Sequence, residues 1–246
     1  MISTAFISAL VSFTLLFSSS AALAVEDECV ILLHGLGRTS ASMTIMEYKL
    51  ADEGYAVWNE GYPSRQKPVE ELVLVIDEGI AYCRDQQASR IHFVTHSLGG
   101  ILVRKYFQDR NVDEAQRAVM IAPPNQGSEV TDQYRDEWWY QFATGPAGQQ
   151  LGTDEDSIPL SLSPIDLEIG IIAGTNSSDP WFNKVFDGDH DGKVSVSSTK
   201  LDEMRDFLLV DSGHTFIMNS DLVIEQIKAF LRDGKFMPVE VATPAL

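Results

Sequence analysis

The sequence predicts an α/β fold: a doubly wound, mostly parallel sheet of about six strands with helices on both faces. Three observations carry that expectation. From Cys29 onward, short apolar runs alternate with longer amphipathic ones. Several of the short runs are continuous in Val, Ile and Leu, as strands buried on both faces of a parallel sheet tend to be. The segments between them have helical spacing, which supplies the crossovers that parallel strands need.

The elements follow in order. Residues 1–24 carry no charge and are almost wholly apolar from Ala5 to Phe17, before Ser18, Ser19 and Ser20 lead into Ala22-Leu23-Ala24. This run is short for a bilayer span, and its small residues fit cleavage before Val25. A signal peptide and export, periplasmic or secreted, are therefore expected. No Lys or Arg precedes the apolar run, which leaves an uncleaved membrane anchor as the alternative. Strands are expected at Cys29 to Leu33, Tyr55 to Trp58, Ile91 to Thr95, Ala118 to Ala122, Ile169 to Ala173 and Phe207 to Val210. Helices are expected at Met43 to Glu53, Val69 to Arg84, Leu98 to Gln108 and Leu222 to Leu231. Residues 125–167 break the rhythm: they show no strong strand, are rich in Gly, Pro and Asp, and hold the cluster Trp138, Trp139, Tyr140 and Phe142. They read as a lid-like insertion or as a packed surface loop. Residues 237–246, with Pro238 and Pro244, read as a loose tail.

Composition sets the outer limits. At 246 residues, 44% hydrophobic and 22% charged, the chain has the balance of a globular protein, and residues 25–246 read as a single domain. All 18 basic and 36 acidic residues follow the leader, so the mature chain carries the whole net charge of −18. Such a surface repels nucleic acid and anionic membranes but not neutral lipids or esters. The two cysteines, Cys29 and Cys83, are too few for a disulfide scaffold or a four-thiolate zinc site. Cys29 opens a strand and Cys83 ends a returning helix, so the two belong to one edge, either bridged or as buried thiols.

The strongest chemical signal is Ile91-His92-Phe93-Val94-Thr95-His96-Ser97-Leu98-Gly99-Gly100. It is an apolar strand running through a tight turn into a helix, with Ser97 at the turn. There a serine hydroxyl stands clear of the sheet, and the helix N-terminus presents amides to developing negative charge. Thr95 stands where such elbows commonly have Gly, so the turn must leave room for its Cβ. The rival reading of Ser97 is a helix N-cap. In Leu32-Leu33-His34-Gly35-Leu36-Gly37 the glycines let backbone approach a ligand, and the amides of Leu36 and Leu98 are candidate donors to an oxyanion.

A serine hydroxyl needs a base, normally an imidazole held by a carboxylate. Of the five histidines, His34 and His96 belong to the turns just described, His92 lies inside a strand and His190 sits among aspartates. His214 directly follows the last strand, at the edge where Ser97 lies, and is the expected base. Asp191, in Asp187-Gly188-Asp189-His190-Asp191-Gly192, is the expected carboxylate, with Asp189 and then Asp187 as alternatives. The alternating aspartates also imitate the start of a calcium loop, but Ser198 stands where its bidentate Glu belongs.

These residues resemble the α/β-hydrolase superfamily, and within it small bacterial lipases and esterases with a minimal sheet. The resemblance rests on His34-Gly35-Leu36-Gly37, Thr95-His96-Ser97-Leu98-Gly99-Gly100, Asp191-Gly192-Lys193-Val194 and Gly213-His214, and covers most of the mature chain. It implies Ser97, Asp191 and His214 as a triad in the Ser, acid, His order of that fold, and Leu36 and Leu98 as oxyanion donors. Pro123-Pro124-Asn125-Gln126-Gly127-Ser128 is similar to the segment that opens the lid region. The implied activity is carboxylic-ester hydrolysis through an acyl-enzyme, with no cofactor or metal and with a small-molecule or lipid ester as partner, including transient contact at a lipid interface. An acyltransferase, thioesterase or amidase would use the same residues, and a catalytically silent binding protein would keep them misaligned. Oligomeric state is not legible in the sequence.

Overall fold

Residues 27–177 and 182–238 are described by the computed structural model. The expected signal peptide, 1–24, and residues 239–246 of the expected tail lie outside them. Met237, at the start of that tail, is tied back by two hydrogen bonds between its backbone and the Gln226 amide.

Among the described residues the strands are β1 Glu28–Leu33, β2 Ala56–Trp58, β3 Arg90–His96, β4 Ala115–Ile121, β5 Glu168–Gly174 and β6 Asp206–Val210. They form one sheet in the order β2-β1-β3-β4-β5-β6, and every neighbouring pair is parallel. All six match the expected runs. The chain moves outward from β1 to β2, returns across β1 to β3, then proceeds the other way. The order therefore reverses between β1 and β3, the place where sheets of this kind bind ligands beyond the strands' carboxyl ends. The register sets Leu33 of β1 level with Thr95 of β3, so the loops after these two strands emerge side by side.

The helices are α1 Thr44–Asp52, α2 Val69–Leu72, α3 Val75–Asp85, α4 Leu98–Tyr106, α5 Glu129–Tyr134, α6 Trp138–Gln149, α7 Ile158–Ser161, α8 Val196–Thr199 and α9 Asp221–Asp233. Alternate residues of the strands feed two cores. Cys29, Ile31, Leu33, Ile91 and Phe93 pack with residues of α2, α3 and α4. Val30, Leu32, Val94 and Val119 pack with Met46 and Leu50 of α1 and with Ile224, Ile227 and Phe230 of α9. This two-sided burial is why the strands read as continuous apolar runs.

Three details depart from or settle the sequence reading. The expected helix from Val69 to Arg84 divides at Val73 and Leu74, where Ile76 and Asp77 donate to the carbonyls three residues back. Val69, Leu72, Val73, Val75 and Ile76 are all buried, more than one α-helical stripe carries, and the tighter turn brings them to one side. Residues 125–167 contain three helices, α5 to α7, that periodicity did not announce; Gly145 at φ 64° kinks α6 just before Pro146. Cys29 and Cys83 form a disulfide, Cα–Cα 5.6 Å, so the bridged alternative holds. It pins the start of β1 to the end of α3.

Candidate active site

Ser97 joins β3 to α4 with φ 53° and ψ −118°, a strained conformation for a residue with a side chain. The surroundings hold it there: its amide donates to Ile121 O at 2.9 Å, and the helix behind it sits close against the sheet. A Cβ on Gly99 would lie 2.6 Å from Leu33 O, and one on Gly100 would lie 3.0 Å from Pro123 and 3.4 Å from Thr95 Oγ1. Gly100 is thus the residue that leaves room for Thr95 in the elbow. The Ser97 hydroxyl makes no capping hydrogen bond, which removes the N-cap reading and leaves the group free for chemistry.

The loop after β1 abuts this elbow. A Cβ on Gly35 would fall 2.7 Å from His96 Nδ1 and 3.2 Å from Ser97 Cβ, so only glycine allows the approach that brings Leu36 alongside Ser97. Leu98 is the first residue of α4, and the first amides of a helix have no intrahelical acceptor. His34 is a structural residue: its Nδ1 donates to Gly35 O at 2.9 Å and its Nε2 accepts from Tyr62 N at 3.3 Å. Tyr62 stacks on its ring at 4.0 Å and donates its hydroxyl to His34 O. Burial lowers the His34 pKa and keeps the ring neutral.

Beyond β5 and β6 the structure brings Asp191 and His214 together. His214 Nδ1 donates to Asp191 Oδ2 at 2.7 Å, and His214 N donates to Asp191 O at 2.9 Å. Asp191 Oδ1 accepts from the amides of Lys193 at 3.0 Å and Val194 at 2.9 Å. The Asp191 side chain is 1% exposed and that of His214 8%. Asp187 and Asp189 are exposed, so Asp191 alone of the three faces the imidazole. His190 accepts from Gly192 N and stacks on Phe186. His92, fully buried in β3, donates to Glu28. His96 and His214 both line the hollow with Ser97, and of the five histidines His214 alone has an aspartate partner among the described residues.

His96 plays a part that its place in the turn did not reveal. Its Nε2 donates to His214 O at 3.0 Å, linking the elbow to the loop that carries the second histidine. Burial first, then the nearby His214 and Arg38, depresses its pKa well below the usual value, so it stays a neutral donor.

Ser97 and His214 share a hollow of about 270 Å³. Leu36 lines it, as do Val130, Trp139, Tyr140, Ala143 and Leu151 from the insertion, whereas Trp138 and Phe142 point outward at 76% and 83% exposure. Among the described residues its two charged lining residues are both cations, Arg38 and Lys193. Sequence reasoning gave neither a role, although each lies two residues beyond a singled-out position, Leu36 and Asp191. It also missed Arg104 on α4. This buried guanidinium donates to Asn125 O at 2.9 Å and to Leu162 O at 3.2 Å, holding both ends of the insertion to the helix behind Ser97.

No family model and no curated protein matches the sequence. Solved structures match the fold. The chain is similar to the mature form of BlEst2, a lipase of Bacillus licheniformis, with TM-score 0.67, 15% identity, and coverage of 84% of this chain and 91% of that one. A metagenomic carboxyl esterase, MGS0156, is similar at TM-score 0.59 and 16% identity over 77% of this chain and 65% of that one. Phospholipase PlaB from Legionella pneumophila, in complex with thio-NAD, follows at 0.57 and 17% over 70% of this chain and 44% of that one.

Proposed function

The chain has the α/β-hydrolase fold, and from that premise we propose that it hydrolyses carboxylic esters, lipid esters included, through an acyl-enzyme on Ser97. The observation that carries this reading is the buried 2.7 Å hydrogen bond from His214 to Asp191 at the edge of the hollow into which Ser97 is turned.

Asp191 accepts a hydrogen bond from the Nδ1–H of His214, which fixes the tautomer whose Nε2 carries a lone pair. That nitrogen removes the Ser97 proton as Oγ attacks the ester carbonyl carbon. The resulting oxyanion is met by the amides of Leu36 and Leu98, each such donor being worth about a hundredfold in rate or more. Collapse of the tetrahedral intermediate expels the alcohol, which takes the proton from His214. Water, deprotonated by the same nitrogen, then hydrolyses the acyl-enzyme and restores Ser97. All of these steps use groups of the chain itself. Residues 1–24 have signal-peptide character, and the Cys29–Cys83 disulfide suits an oxidising compartment. We place the activity outside the cytoplasm on these two grounds.

Short and long p-nitrophenyl esters, offered to the mature protein and to Ser97→Ala, test the reading. Hydrolysis by the wild type and its loss in the variant are expected, together with fluorophosphonate labelling of Ser97 alone. Hydrolysis that survives in Ser97→Ala, or no labelling and no hydrolysis in either protein, overturns it. The ratio of rates across chain length separates an esterase from a lipase.

A further inference from the structure

A chain with 36 acidic and 18 basic residues would be expected to line a hollow with carboxylates. Among the described residues, the hollow beside Ser97 is lined by Arg38 and Lys193 and by no Asp or Glu. Both cations are half-buried, and among the described residues neither has a carboxylate within ion-pair distance. Arg38 uses Nη2 to donate to Thr215 O at 3.0 Å, which leaves other guanidinium donors open. The Lys193 ammonium stands 5.1 Å from the Phe182 ring centroid. The acid nearest to it in sequence, Asp191, is already taken by His214 and two backbone amides. A partly desolvated cation with no counter-ion is compensated when an anion arrives.

The backbone fixes the side of the substrate on which that anion would lie. Arg38 is tethered to Thr215, the residue after His214, and Lys193 donates its amide to the carboxylate that orients His214. Both cations are therefore held by the base and acid loops. In ester hydrolysis the base returns its proton to the departing alcohol, so this is the alcohol's side. The apolar wall of Val130, Trp139, Tyr140 and Leu151 comes instead from the insertion and suits an acyl chain.

We infer that the preferred substrate is an ester whose alcohol portion bears a phosphate or other anionic group, held between Arg38 and Lys193. The inference rests on the ester-hydrolase reading and assigns that site its substrate class. The net charge of −18 disfavours anionic bilayers, so the substrate is taken as a dissolved molecule, its anion supplied by a single headgroup.

Initial rates with soluble monohexanoyl glycerol phosphate and uncharged monohexanoyl glycerol test this. The expected kcat/KM ratio favours the phosphate ester by about tenfold or more, and Lys193→Gln and Arg38→Gln each lower that ratio by about three- to tenfold. Arg38→Lys, which keeps the charge, retains more of the preference than Arg38→Gln. The phenyl hemiester of succinate, with its anion on the acyl side, shows no such preference over phenyl butyrate. Equal rates on charged and neutral glycerol esters, or a ratio untouched by both Gln variants, overturn the inference. A preference confined to the hemisuccinate overturns the placement on the alcohol side.

Calorimetric titration of Ser97→Ala, in which the hollow keeps its cations, separates this failure from failure of the ester-hydrolase reading. Glycerol phosphate is expected to bind, glycerol not to, and the double variant Arg38→Gln/Lys193→Gln on that background to lose binding. Inorganic phosphate binding as tightly as glycerol phosphate overturns recognition of an ester headgroup in favour of a free-phosphate site. Glycerol phosphate binding by a protein that hydrolyses no ester removes the substrate assignment along with the reaction. Hydrolysis without glycerol phosphate binding or preference removes this inference alone.

Discussion

Asp189 and Asp191 stand two positions apart in one loop, yet one is exposed and the other accepts three hydrogen bonds in the interior. A carboxylate helps an imidazole only when it fixes the tautomer, which takes a direct bond to Nδ1–H. Asp191→Asn is accordingly expected to lower kcat by about a thousandfold or more with the fold retained, while Asp189→Asn changes it by less than about twofold. Rates on a p-nitrophenyl ester decide the matter, and comparable losses in both variants would return the assignment to an open choice. The family resemblance pointed to Asp191, but alternation of Asp at 187, 189 and 191 says nothing about which faces inward. The amides of Lys193 and Val194 decide that, and they converge only after Gly192, at φ 98°, has turned the chain. Arg38 and Lys193 were illegible for a related reason: a cation's lack of a counter-ion is a property of its neighbours in space.

At the scale of elements, apolar continuity revealed β1, β3, β4 and β5 as the imprint of burial on both faces, and it also revealed the edge strands β2 and β6, which are only partly buried. Boundaries blurred where burial fades: β4 begins at Ala115 rather than Ala118, since its first residues, Ala115 to Arg117, are only half-buried. The helices of residues 125–167 escaped because Gly145 and Pro146 interrupt α6 and its aromatic residues split between the hollow and solvent. The glycines behind the elbow are the clearest case of an element dictated by single residues. With Leu33 O at 2.6 Å from a Cβ on Gly99, Gly99→Ala is expected to push α4 off β1. It should cost about 2 kcal/mol or more in urea denaturation and lower activity with it, and an unchanged midpoint would show that the helix has slack. The disulfide acts on a longer segment. Replacing Cys29 and Cys83 together by Ala removes a loop constraint worth about 2–5 kcal/mol, which for a chain of this size lowers the melting temperature by roughly 5–15 °C. A smaller shift would mean that packing of α3 on β1 alone holds that edge.

For the whole molecule, the buried histidines make stability a function of pH. His34, His92 and His96 are each no more than 1% exposed, and burial is the largest cause depressing the pKa of all three. A depressed histidine stays neutral in the folded state while its unfolded counterpart takes up a proton near about pH 6.5. The unfolded chain then binds more protons, so stability falls as pH drops below that value. The slope approaches about 4 kcal/mol per pH unit where all three groups differ between states. Glu28 reinforces the trend at lower pH. Its hydrogen bond from His92 lowers its pKa, so its contribution is present above the ordinary carboxylate range and is lost as pH falls through the depressed folded value. Urea midpoints measured from about pH 7.5 down to about pH 5 should therefore decline with little change in m-value. His92→Gln, which keeps a donor toward Glu28, should flatten the decline by about a third because one of the three protons no longer counts. A midpoint that stays level to about pH 5 would mean that the interior admits protons to these rings, and the neutral His96 that bonds the His214 carbonyl would then lose its physical basis.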